Sequence, residues 1–347
     1  ERMRDTILID RGGCYACPIR CKRVVEVHDD EYDVNPIYGG PEYETLGALG
    51  SVCGVDDLRA VAKANELCNA YSLDTISTGM VIAFAMECFE NELLTPEDTG
   101  GLELRFGNAK AMVEMVRRIG EREGLGDLLA EGSTLAAQKI GQGAEMYAIN
   151  AKSQPFPMHE GRTRHGQALG YAVSPTGADH MHNVWDEGFA RDPVGENAYR
   201  VGVYEPIPTT VLNAAKVRAY MNTANWTWVG NSLGLCAFIP WSDDEEIEIV
   251  RAITGWQVSK WELAKVGERG VTMARLFNLR EGLTRADDTL PARMAEYHVT
   301  ATLNEKPVLP EVLDEAVTLF YGMMGWDPQT GVPTEGKLHE LDIAWAR

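Results

Sequence analysis

The 347-residue chain has few positive charges and no long apolar run. It carries 32 lysines and arginines against 52 aspartates and glutamates, which gives a formal net charge of −20 at pH 7. This acidic balance argues against a nucleic-acid-binding face and against binding to an anionic membrane surface. Apolar runs stay below 18 residues, which predicts that no segment spans a membrane. No charged and apolar leader precedes Cys14, so we expect no export signal and a cytoplasmic protein.

The sequence also lacks the paired cysteines of a disulfide framework. Its seven cysteines are an odd number, and no second C-x-x-C pair follows the first. This pattern is typical of intracellular thiols and metal ligands. The hydrophobic content of 45% is ordinary for a soluble globular protein, and the length suffices for two domains with sizeable cores.

Three of the cysteines lie close together in Cys14-Tyr-Ala-Cys17-Pro-Ile-Arg-Cys21. Thiolates at these spacings can converge on one soft metal centre, and a fourth ligand would come from a remote residue such as Cys236. Three local cysteines plus one remote cysteine are typical of a [4Fe–4S] cluster. Structural zinc is the alternative, although zinc sites usually combine two short cysteine pairs. Free thiols are the third reading.

Helical periodicity dominates the rest of the chain, and convincing strands are few. Residues 1–40 are predicted to form loops and turns, and 150–182 change character because they are rich in proline, glycine and histidine. We therefore predict a mainly α protein with two domains, 1–149 and 150–347. The predicted helices cover 56–71, 77–91, 108–122, 128–140, 210–221, 242–253, 259–279 and 310–321.

Two short segments form a weak internal repeat. Asn69-Ala-Tyr-Ser72-Leu73-Asp74 resembles Asn231-Ser-Leu-Gly234-Leu235-Cys236, and each segment follows a helical stretch in a different half of the chain. The second copy ends on the isolated cysteine. As a matched pair, the segments predict two turns that bind one ligand from both sides.

An ordered set of motifs runs along nearly the whole chain and resembles the tungsten-pterin aldehyde ferredoxin oxidoreductase family. Each motif is modest by itself, and the specificity lies in their order. The motifs are C-x-x-C-x-x-x-C at 14–21, G-P-E-Y-E-T at 40–45, L-D-T-I-S-T-G at 73–79, S-P-T-G-A-D-H at 174–180, G-L-C at 234–236, R-L-F-N-L-R-E-G at 275–282 and D-T-L-P at 288–291.

The resemblance implies two helical domains that hold the cofactor between them. In this family an N-terminal β-rich domain forms a base under the cofactor. The present sequence matches only the two helical domains, so we expect that base to be absent from this chain and to be a missing partner domain.

The resemblance also implies two cofactors and the residues that hold them. A [4Fe–4S] cluster would be bound by cysteines, and a tungsten (or molybdenum) bis-pterin would be bound by the two turns. Apart from the resemblance, His182 lies two residues from His180, so both side chains would face the same way on an extended segment, and His182 is a candidate for binding the cofactor's phosphates or for assisting proton transfer. The implied cluster ligands are Cys14, Cys17, Cys21 and Cys236; the implied pterin contacts are Asn69, Leu73 and Asp74 in the first turn and Asn231 and Ala237 in the second.

Three positions in these turns depart from the family pattern. Asn69 and Asn231 stand where the family usually has aspartate, so hydrogen bonding to both pterin edges is expected to differ. Ser72 replaces a family glycine, which puts the tightness of the first turn in question.

Glu44 and His180 match the family's active-site glutamate and histidine. A carboxylate can activate water, and a histidine can protonate or polarise a carbonyl oxygen. The implied reaction converts a small aldehyde to a carboxylic acid, with electrons passed through the cluster to ferredoxin or an iron–sulfur subunit. A benzoyl-CoA-reductase-type subunit and a non-catalytic iron–sulfur module without pterin are the alternatives, and a homodimer is left open.

Overall fold

The computed structural model describes residues 1–297 and 306–347, and it is mainly helical, as predicted. Its contacts divide it into two compact units, Glu1–Met158 and His159–Arg347. The composition change at Asn150 precedes the end of the first unit. No single helix in the described ranges is long and apolar enough to cross a membrane; the helices Leu58–Tyr71 and Thr75–Glu90, bent by 118°, meet that test only as a pair.

The first unit packs helices against small two-stranded sheets. Its three strand pairs are all antiparallel, β1 with β2, β3 with β4 and β5 with β6. A π-helix, Leu46–Val52, continues directly from α2. The elements are α1 (Arg2–Thr6), β1 (Leu8–Gly12), β2 (Lys22–Val25), β3 (Val27–His28), β4 (Asp33–Val34), α2 (Tyr43–Thr45), α3 (Leu58–Tyr71), α4 (Thr75–Glu90), α5 (Ala109–Glu121), α6 (Leu125–Leu129), α7 (Ser133–Ile140), β5 (Asn150–Ala151) and β6 (Gln154–Pro155).

The boundaries of the main helices follow from their caps. Asp57 and Asn108 cap α3 and α5, since each side chain accepts a hydrogen bond from a backbone N–H in the first turn. The α4 helix is apolar on nearly every side and is buried in the core of this unit. The sequence therefore places these three helices within a few residues.

Two local predictions for the first unit are wrong. The predicted helix 128–140 is two helices, α6 and α7, because Gly132 has a φ of 87° between them. The predicted loop region 1–40 contains the β1–β2 hairpin, in which Gly12 lies opposite Lys22. Only 13–21, the cysteine segment, forms the loop of that hairpin.

Gly79 allows α4 to pack against the π-helix. A Cβ atom at this position would lie 2.6 Å from the backbone carbonyl carbon of Ala48, and backbone cannot rotate away as a side chain does. We expect Gly79→Ala to lower the free energy of unfolding by about 1–3 kcal/mol, measured by urea denaturation. Gly322→Ala, in a helix with nothing within 4 Å of the added Cβ, is the matched control and should not destabilise. Equal effects of the two changes would contradict the packing argument.

The second unit is a helical bundle with long connections. Its core is formed by α10, α12 and α13 together with α8. The elements are α8 (His165–Val173), α9 (Glu196–Arg200), α10 (Ala214–Leu233), α11 (Asp243–Thr254), α12 (Lys260–Arg280), α13 (Pro310–Met323) and α14 (Glu335–Glu340).

A buried ion pair fixes the loop between α8 and α9. Asp186 accepts hydrogen bonds from the backbone N–H groups of Gly166 (2.9 Å) and Gln167 (3.0 Å) at the start of α8. The Lys216 ammonium of α10 pairs with the same carboxylate, and both side chains are fully buried. Breaking such a pair leaves an uncompensated charge, so this contact holds the loop 174–186 between two helices.

The motifs at 275–282 and 288–291 have a structural role in this unit. The buried Arg275 guanidinium pairs with Asp288 (2.9 Å) and donates to the Gly331 carbonyl (3.0 Å). The Tyr321 hydroxyl donates to the same carboxylate. These contacts join α12 to α13 and to the turn before α14.

Candidate functional site

The three clustered cysteines lie in the loop of the β1–β2 hairpin, whose strands hold its two ends together. The Cys17 N–H donates to the Cys14 carbonyl (3.1 Å), and Cys14 is exposed. Ala16 and Arg20 have φ values of 55° and 46°, and each immediately precedes a cysteine. Left-handed residues in such turns expose successive N–H groups that bind anions, including iron–sulfur centres. The backbone of this loop therefore fits a negatively charged cluster.

Cys236 lies in the second unit, just after α10. It is exposed, and its carbonyl accepts a hydrogen bond from the Ile239 N–H (3.1 Å) within a turn. Phe238 beside it is 69% exposed. The thiol is accessible to a metal centre, and its role as the fourth cluster ligand stays a prediction.

The turn after α3 is a Schellman motif. The Ser72 N–H donates to the Asn69 carbonyl (3.3 Å), and the Leu73 N–H donates to the Cys68 carbonyl (2.8 Å). Ser72 adopts the left-handed conformation that glycine would take, with φ 58° and ψ 41°. The tight turn therefore forms despite the serine, at a cost of about 1–2 kcal/mol for its left-handed backbone.

The turn after α10 has the same hydrogen-bond pattern. The Gly234 N–H donates to the Asn231 carbonyl (3.1 Å), and the Leu235 N–H donates to the Gly230 carbonyl (2.9 Å). Gly234 is left-handed, with φ 70° and ψ 24°. Asn69 and Asn231 thus occupy the same position relative to their helix ends, and Leu73 and Leu235 are equivalent. The weak sequence repeat corresponds to two identical backbone turns.

The polar groups of the first turn are partly engaged within the unit. The Asn69 amide nitrogen donates to the Asn65 carbonyl (2.9 Å), which directs the side-chain oxygen away from the helix. One oxygen of Asp74 accepts from the Ser77 N–H (2.7 Å) and caps α4. Both side chains are exposed. The turn thus presents the Asn69 amide oxygen and the second Asp74 oxygen to a ligand.

His182 connects the second turn to the loop that carries His180. Its Nδ1 lies 2.8 Å from the Asn231 amide nitrogen, and its Nε2 lies 3.4 Å from the Asp179 carboxylate. The imidazole also stacks on Trp228 of α10, with ring centroids 4.8 Å apart. This arrangement fixes the imidazole between the amide nitrogen of Asn231 and the carboxylate of Asp179. The Asn231 oxygen is then directed away from His182 and is available to a ligand.

Glu44 is held by the backbone of Met158 in the first unit. One oxygen of its carboxylate accepts from the Met158 N–H (2.8 Å), and the Met158 carbonyl accepts from the Tyr43 hydroxyl (3.1 Å). Gly47 makes room for this contact, since a Cβ there would lie 2.3 Å from Met158 Cγ. Glu44 also lies two residues before the start of the π-helix, an element often found at functional sites.

His180 lies beside a second histidine in the second unit. The ring centroids of His159 and His180 are 4.9 Å apart, and Trp185 meets His159 edge-on at 4.7 Å. The Tyr171 hydroxyl donates to the His159 carbonyl (3.0 Å). These contacts fix a pair of imidazoles in one half-buried place, which suits proton transfer.

Sequence reasoning did not find several residues that position this site. Met158, Trp185 and Trp228 contact residues of this site but belong to none of the sequence motifs. Asp179 lies in the motif at 174–180, but no role followed for it from the motif. The spacing of Asp179, three residues before His182, was the one available signal for a carboxylate–histidine contact.

Comparison with known proteins identifies relatives along the whole chain. Residues 1–343 match the model of a family described as aldehyde ferredoxin oxidoreductase, domains 2 and 3. Tungsten-containing aldehyde ferredoxin oxidoreductases from Pyrococcus horikoshii and Pyrococcus furiosus are each 33% identical over 99% of this chain. The aliphatic sulfonate oxidoreductase, WOR-like subunit, from Pyrococcus furiosus is 27% identical over 96% of this chain. The alignments cover 54%, 54% and 50% of these relatives, so the chain spans about half their length.

A solved structure shares the fold. A chain in the active-site complex of benzoyl coenzyme A reductase with 1,5-dienoyl-CoA aligns with a TM-score of 0.77 and 24% identity. The alignment covers 99% of the present chain and 54% of that chain. At this level of identity the similarity establishes a common architecture.

Proposed function

This chain belongs to the aldehyde ferredoxin oxidoreductase family, and we propose that it is the helical part of a tungsten-pterin enzyme that oxidises aldehydes to carboxylic acids. The observation that carries the proposal is the pair of identical turns after Asn69 and Asn231. They lie at the positions where the family resemblance implies pterin contacts, and each exposes an amide oxygen next to a tight helix end. Two equivalent turns suit a cofactor built from two equivalent pterins.

The residues that would hold each cofactor follow from the turns and the hairpin loop. Asn69, Leu73 and Asp74 would contact one pterin, and Asn231, Ala237 and His182 would contact the other. The amide oxygens accept from the donor edge of a pterin as aspartate does, without its charge. Cys14, Cys17, Cys21 and Cys236 would hold a [4Fe–4S] cluster. When bound, the pterin-held metal supplies two-electron redox chemistry and the cluster supplies one-electron transfer.

The chain's own contribution to the reaction is acid–base chemistry. Aldehyde and water give the carboxylic acid, two electrons and two protons. Glu44, held by the Met158 N–H, is the proposed base that accepts a proton from water. His180, beside His159, is the proposed group that polarises the carbonyl oxygen. Electrons leave singly, which suits ferredoxin or an iron–sulfur subunit as the acceptor.

A second candidate function is supported by the solved structure that shares the fold. That structure is the active-site complex of a benzoyl coenzyme A reductase with 1,5-dienoyl-CoA. The same two turns and the same histidine pair would serve a reduction. A third candidate, an iron–sulfur module without pterin, keeps only the cysteine loop.

Metal analysis and a dye assay separate the three candidates. The protein is purified anaerobically from the organism that encodes it, and the 347-residue chain is purified alone. We expect the protein from its own organism to contain tungsten and to reduce viologen when aldehyde is added. The 347-residue chain alone should contain iron and little tungsten. If the protein from its own organism contains tungsten and reduces benzoyl-CoA but oxidises no aldehyde, the benzoyl-CoA reductase function is favoured. Iron without tungsten or molybdenum in both samples would overturn the proposal.

A further inference from the structure

The second unit contains a cavity of about 960 Å³ that no cofactor contact described above uses. It is bounded by α9, α10, the start of α11 and α12. Its volume lies at the upper end of the range for small-molecule sites, roughly 300–1,000 Å³. A two-carbon aldehyde would leave most of it empty, so the cavity suits a larger ligand.

Four tryptophans make the wall of this cavity strongly aromatic. Trp185, Trp226, Trp241 and Trp261 all line it, and Trp261 is 67% exposed at its edge. Indole rings offer large flat surfaces for stacking, and aromatic ligands gain from such contacts beyond the area buried. The shape and the lining therefore favour a flat aromatic ligand.

The charges in the wall cancel. The cations that line the cavity are all paired with carboxylates, so they do not favour a charged ligand. Lys265 and Lys337 share Glu268, at 2.6 and 2.5 Å. Arg200 lies 2.9 Å from Glu196, and Lys260 pairs with Asp243. A neutral ligand is the one that this wall accommodates without leaving a charge unpaired.

One polar group in the wall lacks a partner. The Thr223 hydroxyl is buried, and among the described residues it has no hydrogen-bond partner. Leaving a buried hydroxyl unsatisfied is unfavourable. Because Thr223 lines the cavity, a rotation about its χ1 would bring the hydroxyl to a ligand oxygen there. The ligand is thus expected to carry one hydrogen-bonding group.

From these four features we propose that the cavity binds a neutral aromatic molecule with one hydroxyl or carbonyl group. Trp185 belongs both to the cavity wall and to the cluster with His159, which lies next to His180. The cavity therefore holds the non-reacting part of an aromatic substrate. This last step rests on the proposed function, whereas the binding site itself does not.

The test uses 2-naphthol as the probe and measures its binding to the full chain by isothermal titration calorimetry. We expect saturable binding of one equivalent. Trp261→Ala should weaken it roughly 10-fold because a stacking surface is lost. Trp256→Ala is the matched control, since Trp256 is 65% exposed but lies outside the cavity, and it should leave the affinity unchanged. Equal affinities in both variants, or no saturable binding, would overturn the site.

A second variant tests the hydrogen bond independently of the aromatic wall. Thr223→Val keeps the shape of the side chain, and it should weaken 2-naphthol roughly 5-fold while naphthalene binds as before. An equal loss for both probes would refute the role of the hydroxyl. These titrations measure binding without turnover. A failure to bind would therefore refute the proposed binding site and leave the proposed function untouched. Binding in a protein that oxidises no aldehyde would keep the site and refute the substrate assignment.

Discussion

Replacing Glu44 with glutamine is expected to lower kcat for aldehyde oxidation by about 10²- to 10⁴-fold, with cofactor content unchanged. Glutamine keeps the oxygen that accepts from the Met158 N–H, so the local structure should persist. What is lost is the ability to take a proton from water. His180→Asn should act in the same direction, because asparagine cannot donate a proton to the developing oxyanion.

Matched controls distinguish loss of catalysis from loss of structure. Glu42→Gln, two residues away, removes only a surface ion pair with Arg23 and should leave kcat within a factor of two or so. His339 is exposed on α14, and His339→Asn should be silent. The decisive measurement is kcat beside tungsten and iron content in each variant. Near-normal turnover in both Glu44→Gln and His180→Asn would remove these residues from the mechanism.

Replacing any one of Cys14, Cys17 and Cys21 with serine is expected to lower bound iron about 10-fold or more. Iron in these clusters is held by thiolates, and a serine hydroxyl at neutral pH is a poor substitute. The hairpin that carries the loop should remain folded, since its strand contacts do not involve the thiols. Iron is measured together with the visible absorption of the cluster.

A buried cysteine provides the control for these variants. Burial raises the pKa of Cys88 to about 12, so it is a protonated thiol at neutral pH and a poor ligand. Cys88→Ala should therefore retain its iron. Cys236→Ser tests the remote ligand separately: iron loss equal to that of Cys17→Ser supports it, and full iron would mean that another residue completes the cluster.

The sequence was sufficient for α3, α4, α5, α11, α12 and α13, but the predicted helix 210–221 ended well before the C-terminus of α10 at Leu233, and α8 was not predicted. Caps and periodicity mark α3, α4 and α5 because their signals are local. The α8 helix contains two glycines and is buried on every side, so it has neither high propensity nor an amphipathic pattern. Its first N–H groups are satisfied by Asp186, which lies 20 residues later. A helix stabilised by so distant a partner leaves no local signal.

The same reasoning explains which parts of the site were predictable. The two turns were visible because a Schellman motif is written in a few consecutive residues. The contact between His182 and Asn231 joins residues 49 apart in sequence, and Trp185 reaches His159 only after the loop folds back. Motif order therefore predicts the residue types of the proposed site, whereas contacts between residues distant in sequence, such as His182 with Asn231, determine how its side chains are oriented.

The exposure of the cysteine loop has a consequence for how this protein must be handled. Cys14 is exposed, and Tyr15 next to it is fully exposed to solvent. A cluster held there would lie close to the surface, so a redox partner could exchange electrons with it without entering the protein. A cluster so close to the surface is also accessible to dioxygen, which destroys such clusters. We therefore expect the iron-loaded protein to bleach in air within the time of an ordinary purification, even though its helical core stays folded.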